Sequence, residues 1–263
     1  MALALCACGM KSYPVVKAEH MLSNDGKKIY GVLFRPEGLK KAPVVIISHG
    51  FGGNHAPWEY YAENLVPLGY AAYCFDFCGG GNNSLSDGKT TDMSVMTEKS
   101  DLEAVIDGLK DVEGLDLGRV TLIGESQGGL VSALVAADRK DIVENLILIY
   151  PALCIPDDWV DVFPTTENMP EEMDVWGTKI GHAYVEGLYG LDVYPTITKY
   201  EGRVRIFHGD EDNVVPLSYS ERAQKEYKDA VLTVMPGQGH GFSPEATEVV
   251  ISGIKDCLQS KDR

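Results

Sequence analysis

A serine between glycines is the first residue of this sequence whose type and spacing could do chemistry. The run Gly-Glu-Ser-Gln-Gly covers residues 124–128 and is centred on Ser126. An apolar run at 120–123 predicts a strand before it, and the pattern at 130–137 predicts a helix after it. A strand-to-helix turn this sharp strains its central residue, needs small neighbours two positions away and lifts the hydroxyl above the sheet edge. We therefore predict that Ser126 is a nucleophile. The alternative is a tight turn with a capping serine.

A serine hydroxyl is a poor nucleophile near neutral pH, so this site needs a base. Of the six histidines, His240 stands in a glycine-rich loop, residues 237–242, after the last predicted strand. Glycines on both sides let the backbone direct an imidazole across the sheet edge. We predict that His240 is the base; the alternative is an exposed loop histidine. His208 ends a predicted strand and is interpreted as a packing residue.

A third residue, a carboxylate that orients the imidazole, is expected between the serine and the histidine in the chain. The acidic loop Gly-Asp-Glu-Asp-Asn-Val-Val-Pro at 209–216 follows a predicted strand and offers three candidates. Asp212 is our choice because the turn that begins at the loop's glycine should direct it inward. Asp210 and Glu211 are interpreted as solvated or turn-forming, and Glu211 stays the main alternative.

An acyl-transfer site also needs two donors for the oxyanion that develops on the carbonyl oxygen. The backbone N–H of Gln127, at the start of the predicted helix, is one. The second is expected in the loop His-Gly-Phe-Gly-Gly at 49–53, where Phe51 N–H is the predicted donor. A phosphate cradle is the alternative for this loop, but it lacks both the Lys-Ser/Thr pair and the Gly-x-Gly-x-x-Gly spacing.

The elements that must position these residues alternate along the chain. Apolar runs and helical spacings predict strands at 44–47, 71–75, 120–123, 146–150, 204–208 and 231–235 and helices at 58–68, 100–110, 130–137, 219–227 and 245–258. Such alternation predicts the α/β class, with a mostly parallel sheet covered by helices on both faces. Residues 155–202 interrupt the pattern and are predicted to form an inserted cap. We expect an N-terminal extension and lead-in at 1–27 and a single domain at 28–263.

The composition is that of an ordinary folded, acidic protein. The chain has 263 residues, of which 44% are hydrophobic and 24% charged, and its formal net charge is −16. These values exclude intrinsic disorder, collagen and simple coiled coils. No basic stripe offsets the negative charge, so nucleic acid is not an expected partner. No run approaches the roughly 18 to 20 apolar residues of a membrane helix, so no membrane partner is expected either.

The cysteines and the opening residues bear on localisation. Six cysteines lie without paired spacing, which fits neither a disulfide framework nor a zinc site and favours a reducing, cytoplasmic compartment. The short apolar segment 1–9 is interpreted as a disordered or vector-derived extension, with Met10 as the natural start. The alternative is a truncated signal or lipid-attachment segment, because a lipobox-like Leu-x-Ala-Cys occurs at 5–8, and the protein would then be exported.

Four motifs occur together in this chain. They are Gly-Glu-Ser-Gln-Gly-Gly at 124–129, His-Gly-Phe-Gly-Gly at 49–53, the acidic loop at 209–216 with Gly-His-Gly-Phe at 239–242, and Asp-x-x-Gly-x-Gly at 76–81. Their combination resembles the α/β-hydrolase superfamily and, more narrowly, its bacterial cinnamoyl (feruloyl) esterases. The resemblance covers residues 28–258 and implies a serine esterase of α/β-hydrolase fold that needs no cofactor and no metal.

The resemblance also implies residues for substrate binding. In those esterases the cap often supplies an Asp and a Tyr that hold the phenolic end of the acyl group, and the matching positions here are Asp158 and Tyr184. Trp159 and Trp176 are expected to line the same pocket, since a flat apolar wall suits an aromatic acyl group. The alternative is that these aromatics only seal the cap against the core. A denser acidic run at 157–174 departs from the family pattern.

Together these features predict that the chain hydrolyses carboxylic esters through an acyl-enzyme, with a hydroxycinnamate as the acyl group. The expected partner is a small-molecule or sugar-linked ester, whose alcohol side needs an open mouth. General carboxylesterases, acylglycerol lipases and acyl-peptidases of the same superfamily stay alternatives. A remote alternative is a non-catalytic protein that binds a small aromatic molecule. The oligomeric state is left open, with a homodimer among the options.

Overall fold

The computed structural model of this protein describes residues 12–260. Its central element is an eight-stranded sheet. The segment 1–9, with its lipobox-like sequence, lies outside the described residues. Including two small hairpins, the described strands are β1 (Val15–Glu19), β2 (Leu22–Asn24), β3 (Lys27–Ile29), β4 (Gly31–Pro36), β5 (Ala42–Ser48), β6 (Ala71–Phe75), β7 (Leu115–Glu125), β8 (Val143–Ile149), β9 (Glu172–Val175), β10 (Thr178–Gly181), β11 (Arg203–Gly209) and β12 (Asp229–Met235).

The large sheet is mostly parallel. Its order is β1-β4-β6-β5-β7-β8-β11-β12, with β4 antiparallel to both of its neighbours and every pair from β6 to β12 parallel. Parallel strands end at the same sheet edge, so the loops that follow β5, β7, β8, β11 and β12 gather there. That edge is where the sequence places its candidate residues.

Helices cover both faces of the sheet. They are α1 (Glu59–Leu65), α2 (Val95–Leu109), α3 (Ser126–Asp138), α4 (Ile155–Val160), α5 (His182–Glu186), α6 (Val193–Ile197), α7 (Leu217–Glu226) and α8 (Pro244–Gln259). Apolar residues of α1 and α8 pack on one face, and those of α2, α3 and α7 pack on the other. The predicted mostly parallel sheet between two helical layers is therefore what the chain forms.

The apolar run in β5 shows why the sheet needs both layers. Val44 and Ile46 point into the core beneath α2 and α3, whereas Val45 and Ile47 point into the core beneath α1 and α8. All four side chains are buried. A continuous apolar run is what a strand covered on both faces requires, because successive side chains alternate between faces.

Two helices begin earlier than their apolar spacing predicts. The predicted helix 100–110 begins at Val95, because the Ser94 side chain accepts from Thr97 N–H while the Thr97 hydroxyl accepts from Ser94 N–H. This reciprocal cap satisfies two backbone donors and fixes the first turn. The predicted helix 130–137 begins at Ser126, so the turn that carries the serine belongs to the helix itself.

The segment predicted as a cap contains short elements. Between β8 and β11 lie α4, the paired strands β9 and β10, α5 and α6, and each of these elements has at most six residues. The hairpin turns at Trp176, whose φ is 52°, and Gly177, whose φ is 83°. Elements this short give no clear periodicity and take their stability from packing, as the fully buried Ile180 and Val185 illustrate. The predicted domain boundaries stay a prediction.

Within residues 12–260, no helix combines the length and the apolar character needed to cross a bilayer.

Candidate active site

Three of the predicted side chains meet at the carboxyl edge of the sheet. Ser126 Oγ lies 2.9 Å from His240 Nε2, and His240 Nδ1 lies 2.7 Å from Asp212 Oδ2. Because a carboxylate only accepts, Nδ1 carries the imidazole proton and Nε2 is left with a lone pair toward the serine hydroxyl. This is the tautomer in which an imidazole can take a proton from serine.

The backbone around Ser126 is strained as the sequence predicts. Ser126 has φ of 50° between β7 and α3. A Cβ on Gly124 would lie 2.2 Å from the carbonyl oxygen of Gly128, and one on Gly128 would lie 2.3 Å from that of His49. Both glycines are therefore required by close backbone approach, which lets the turn present the hydroxyl.

The acidic loop holds its three carboxylates in different ways. The Asp212 side chain is fully buried, and its Oδ1 accepts from Val214 N–H and Val215 N–H, each at 2.8 Å. Asp210 Oδ1 instead accepts from the backbone N–H of Gly237 at 2.6 Å. Glu211 is exposed. The carboxylate that reaches the imidazole is the chosen one, Asp212, and the alternative Glu211 does not.

A second histidine lies against the Asp212 carboxylate, and no sequence pattern predicts this contact. His208 is fully buried, and its Nε2 lies 3.0 Å from Val215 O and 3.3 Å from Asp212 Oδ2. Both neighbours are acceptors, so Nε2 carries the proton, and Nδ1 accepts from the Ser220 hydroxyl at 2.7 Å. Burial lowers the pKa of His208, which keeps it neutral. The interpretation as a packing residue was incomplete, because His208 also positions Asp212.

The loop that carries Phe51 is fixed by a buried imidazole. His49 Nε2 accepts from Phe77 N–H at 3.1 Å, so its Nδ1 donates to Gly50 O at 2.7 Å. Gly53 N–H donates to the same oxygen at 3.1 Å. In a trans peptide the C=O and N–H groups point in opposite directions, so Phe51 N–H points away from these partners. A fixed Phe51 N–H and the Gln127 N–H at the start of α3 suit the predicted pair of oxyanion donors.

Glu125, the residue before the serine, connects the two halves of the site. Its Oε1 accepts from the Tyr150 hydroxyl at 2.8 Å and its Oε2 accepts from Gly50 N–H at 3.1 Å. The Tyr150 ring lies 4.7 Å from the His240 ring. The Glu125 carboxylate therefore ties the loop at 49–53 to the tyrosine that packs against the histidine. No local pattern in the sequence indicates this role.

A cavity of about 710 Å³ opens from Ser126 toward the inserted segment, and we call it the cap cavity. All four predicted substrate residues line it, namely Asp158, Trp159, Trp176 and Tyr184. Asp157 is not among the lining residues, and its carboxylate accepts from the Tyr219 hydroxyl at 2.8 Å. The Tyr184 ring stands edge-on to the rings of Phe51 and Trp159, which gives the cavity aromatic walls.

Behind this cavity the Gln127 side chain lies beside a buried carboxyl. Tyr184 donates from its hydroxyl to Gln127 Oε1 at 2.7 Å, which leaves the tyrosine oxygen as an acceptor. Burial raises the pKa of Tyr184, so the phenol stays neutral. Burial also raises the pKa of Glu98 to about 8, although the neighbouring Gln127 amide opposes the shift. The side chain of Gln127, a predicted oxyanion donor, is held by Tyr184 and by Met93, whose Sδ accepts from Gln127 Nε2 at 3.4 Å.

A second cavity, of about 510 Å³, opens on the other side of Ser126, and we call it the mouth cavity. His240 lines the mouth cavity and is absent from the lining of the cap cavity. Phe51 and the 77% exposed Trp176 line both, so they separate the two spaces. Within residues 12–260, no cluster of three His, Cys, Asp or Glu side chains could hold a metal ion.

The arrangement can perform acyl transfer. A hydroxyl, an imidazole of the right tautomer and a buried carboxylate lie in series, and backbone donors suited to an oxyanion lie beside them. Two cavities meet at the hydroxyl, as a substrate with two halves requires.

Comparison with known proteins identifies the fold family. A family described as alpha/beta hydrolase fold matches residues 43–179. The solved structure of ferulic acid bound to Est1E from Butyrivibrio proteoclasticus is 30% identical, covers 92% of this chain and 100% of its own, and superposes with a TM-score of 0.82. The predicted fold class and the resemblance are thereby confirmed.

Curated relatives cover less of the chain. The monoglyceride lipase of Homo sapiens is 29% identical over 141 residues, which are 54% of this chain and 45% of the lipase. A protein described as putative carbamate hydrolase RutD, from Caulobacter sp. (strain K31), is 20% identical over 252 residues, 82% of this chain and 91% of its own. The chain thus spans about half the length of the monoglyceride lipase that it matches.

Proposed function

Since the chain belongs to the α/β-hydrolase fold family, we propose that it hydrolyses carboxylic esters of hydroxycinnamic acids through an acyl-serine intermediate. The observation that carries the proposal is the series of contacts from Ser126 to His240 at 2.9 Å and from His240 to Asp212 at 2.7 Å. In this proposal Ser126 is the nucleophile, His240 the general base and acid, and Asp212 the group that fixes the imidazole tautomer.

Acylation begins when Ser126 Oγ attacks the ester carbonyl carbon. His240 Nε2 takes the serine proton, and the buried Asp212 carboxylate stabilises the imidazolium that forms. The carbonyl oxygen becomes an oxyanion, for which the N–H groups of Phe51 and Gln127 are the proposed donors. The tetrahedral intermediate collapses, the bond to the alcohol oxygen breaks, and the imidazolium gives its proton to that oxygen.

Deacylation repeats these steps with water. His240 Nε2 takes a proton from water while the water oxygen attacks the acyl carbon, and the same donors hold the second oxyanion. Collapse breaks the bond to Ser126 Oγ, which recovers its proton from the imidazolium. The products are a carboxylic acid and an alcohol, and no redox partner or metal takes part in the proposed sequence.

The aromatic acyl group is supported by the walls of the cap cavity. Phe51, Trp159 and Tyr184 present ring edges and faces on which a planar acyl group can pack. The Asp158 carboxylate lines the same cavity and is a proposed acceptor for a ring hydroxyl. The 30% identical relative whose solved structure contains ferulic acid supports the same class of acyl group.

Hydrolysis of acylglycerols is the second candidate. It is supported by the 29% identity to human monoglyceride lipase over residues that make up 54% of this chain. A fatty acyl chain needs a long apolar channel, whereas the cap cavity contains a carboxylate among its rings. We therefore rank the hydroxycinnamate ester first.

The substrate class is tested by comparing kcat/KM for three substrates with the purified protein. These are methyl ferulate, a medium-chain monoacylglycerol and an aminoacyl p-nitroanilide. We expect kcat/KM for methyl ferulate to exceed the other two by at least about tenfold, the difference that one well-placed charged hydrogen bond supplies. Faster cleavage of the monoacylglycerol or the anilide would assign the chain to the corresponding alternative.

The nucleophile is tested with Ser126→Ala. We expect turnover of a p-nitrophenyl ester to fall by about 10⁴-fold or more, and labelling by a fluorophosphonate probe to disappear, because the proposed acyl bond forms on Ser126 Oγ. The matched control is Ser218→Ala, an exposed serine on α7, which should retain turnover and labelling. Labelling that survives in Ser126→Ala would reject the proposed nucleophile, and absence of labelling in the unmodified protein would favour a non-catalytic binder.

A further inference from the structure

The mouth cavity has its own chemical character. Seven phenylalanine, tyrosine and tryptophan side chains line it, namely Phe51, Trp58, Tyr60, Tyr61, Tyr150, Trp176 and Phe242. Glu125 supplies a carboxylate among them, and the described residues that line the cavity include no lysine or arginine. At the rim the Tyr60 hydroxyl donates to a second carboxylate, that of Glu248. The cavity is thus aromatic and negatively charged.

The position of His240 determines which half of an ester this cavity receives. The imidazolium must protonate the departing oxygen, so the alcohol leaves on the side where His240 lies. His240 lines the mouth cavity and not the cap cavity, which leaves the cap cavity for the acyl group. This assignment rests on the proposed esterase function.

We propose that the mouth cavity is a leaving-group site that selects alcohols by charge, with cationic alcohols preferred to neutral ones of the same shape and anionic alcohols disfavoured. The ligand class is an alcohol with a quaternary ammonium or similarly weakly hydrated cation. Such a group is attracted by the faces of aromatic rings as well as by a carboxylate.

Glu125 is the residue that carries this selection. Its two oxygens accept from Tyr150 and from Gly50 N–H at 2.8 and 3.1 Å, so the carboxylate is fixed in place beside Ser126. A fixed charge attracts a cation without first losing side-chain entropy. A unit charge on the alcohol, about 7 Å from a carboxylate at a partly solvated site, changes the binding equilibrium of that alcohol about five- to tenfold.

Three ferulate esters of one shape test the proposal. Their alcohols are choline, its uncharged isostere 3,3-dimethylbutanol, and the carboxylate-bearing 4-hydroxy-2,2-dimethylbutanoate. The three esters differ in intrinsic reactivity, so the informative quantity is the change in their kcat/KM ratios between variants, in which intrinsic reactivity cancels. Measurements at low and at high salt add a second readout, because added ions screen a charge preference.

Glu125→Gln removes the charge and keeps the size of the side chain. We expect the choline-to-isostere ratio to fall about five- to tenfold and the anion-to-isostere ratio to rise by a similar factor. The matched control is Glu113→Gln, which removes one charge from an exposed residue before β7, at the opposite edge of the sheet. Its ratios should equal those of the unmodified protein.

Two results would overturn the charge selection. One is an equal loss of kcat/KM for all three esters in Glu125→Gln, which would leave Glu125 as a positioning residue only. The other is an equal change of the ratios in Glu113→Gln, which would attribute them to net charge. Acetate esters of the same alcohols separate the two proposals. If the acetate esters show the charge preference and the ferulate esters are not hydrolysed, the proposed hydroxycinnamate substrate is rejected and the proposed leaving-group site is retained.

Discussion

At the scale of single residues, the two neighbouring aspartates on α4 have different surroundings. Asp158 lines the cap cavity, whereas the carboxylate of Asp157 is occupied by the Tyr219 hydroxyl at 2.8 Å. The neutral Tyr184 oxygen already uses its proton on Gln127, so both Asp158 and Tyr184 offer acceptors to a ligand. A ring hydroxyl, which donates, is therefore the group that these residues would recognise.

We predict from this difference that Asp158→Asn lowers kcat/KM for methyl ferulate about tenfold, since it weakens a hydrogen bond to a charged acceptor. Methyl cinnamate lacks the ring hydroxyl, so its kcat/KM should change less than about twofold. Asp157→Asn is the matched control and should leave the ratio of the two substrates unchanged. Equal losses on both substrates in Asp158→Asn would remove Asp158 from the proposed binding residues.

Sequence patterns reveal some of these residues and hide others for a physical reason. Ser126 stands two residues from each of the glycines that its turn requires, and His240 stands between two glycines, so both signals are visible in the chain. The supporting roles of Glu125 and His208 depend on partners brought near only by folding, Tyr150 and Asp212. A buried histidine at a strand end has no local signature that distinguishes packing from hydrogen bonding.

At the scale of elements, the turn from β7 into α3 depends on close backbone packing against β5. A Cβ on Gly128 would meet the carbonyl oxygens of His49 and Ser48 at 2.3 and 2.6 Å. Those atoms belong to the end of β5 and to the loop at 49–53, so they cannot move without displacing both. The position of the serine and the position of the loop are therefore coupled through one glycine.

We predict that Gly128→Ala lowers the free energy of unfolding by at least about 2 kcal/mol and reduces turnover by more than about tenfold, because the added carbon separates α3 from β5. Urea unfolding and turnover of a p-nitrophenyl ester measure the two effects. Gly118→Ala is the control, since its Cβ would meet nothing closer than the Asp116 side chain at 3.3 Å. Normal stability and turnover in Gly128→Ala would show that the close approach is not required.

Strands and helices with a clear hydrophobic pattern could be predicted from the sequence, whereas the short elements between β8 and β11 could not. The apolar run at 71–75 coincides with β6, because a strand buried on both faces requires apolar side chains throughout. The β9–β10 hairpin has four residues in each strand, and its turn places Trp176 at positive φ, where a tryptophan is not expected from sequence. Contacts with the rest of the fold, rather than local preference, determine such elements.

At the scale of the whole molecule, a formal net charge of −16 makes stability depend on pH. Mutual repulsion among surface carboxylates grows as they ionise and acts on every variant alike. Glu98 adds a separate contribution, because it is buried on α2 and its pKa is raised to about 8 in the folded chain. Its ordinary pKa is 4.5, the value that applies when the chain unfolds.

The sign of this contribution follows from proton binding. Between about pH 4.5 and 8 the folded chain keeps a proton on Glu98 that the unfolded chain has released. Stability supplied by the protonated form is therefore fully present below the unfolded pKa and is lost as pH rises toward the folded pKa. Glutamine cannot ionise, so Glu98→Gln removes this pH dependence while it keeps the shape of the side chain.

We predict that the unfolding free energy of Glu98→Gln, measured by urea titration, rises relative to that of the unmodified chain by about 1 kcal/mol per pH unit between pH 5.5 and 7.5. Subtracting one curve of unfolding free energy against pH from the other cancels the effect of surface repulsion. It also cancels the loss of stability at low pH that follows from the lowered pKa of His208. Glu113→Gln removes the same charge from an exposed residue, so its unfolding free energy should vary with pH in parallel with that of the unmodified chain. A curve for Glu98→Gln that is also parallel would mean that Glu98 is ionised in the folded chain, and that the buried carboxyl beside Gln127 is not neutral.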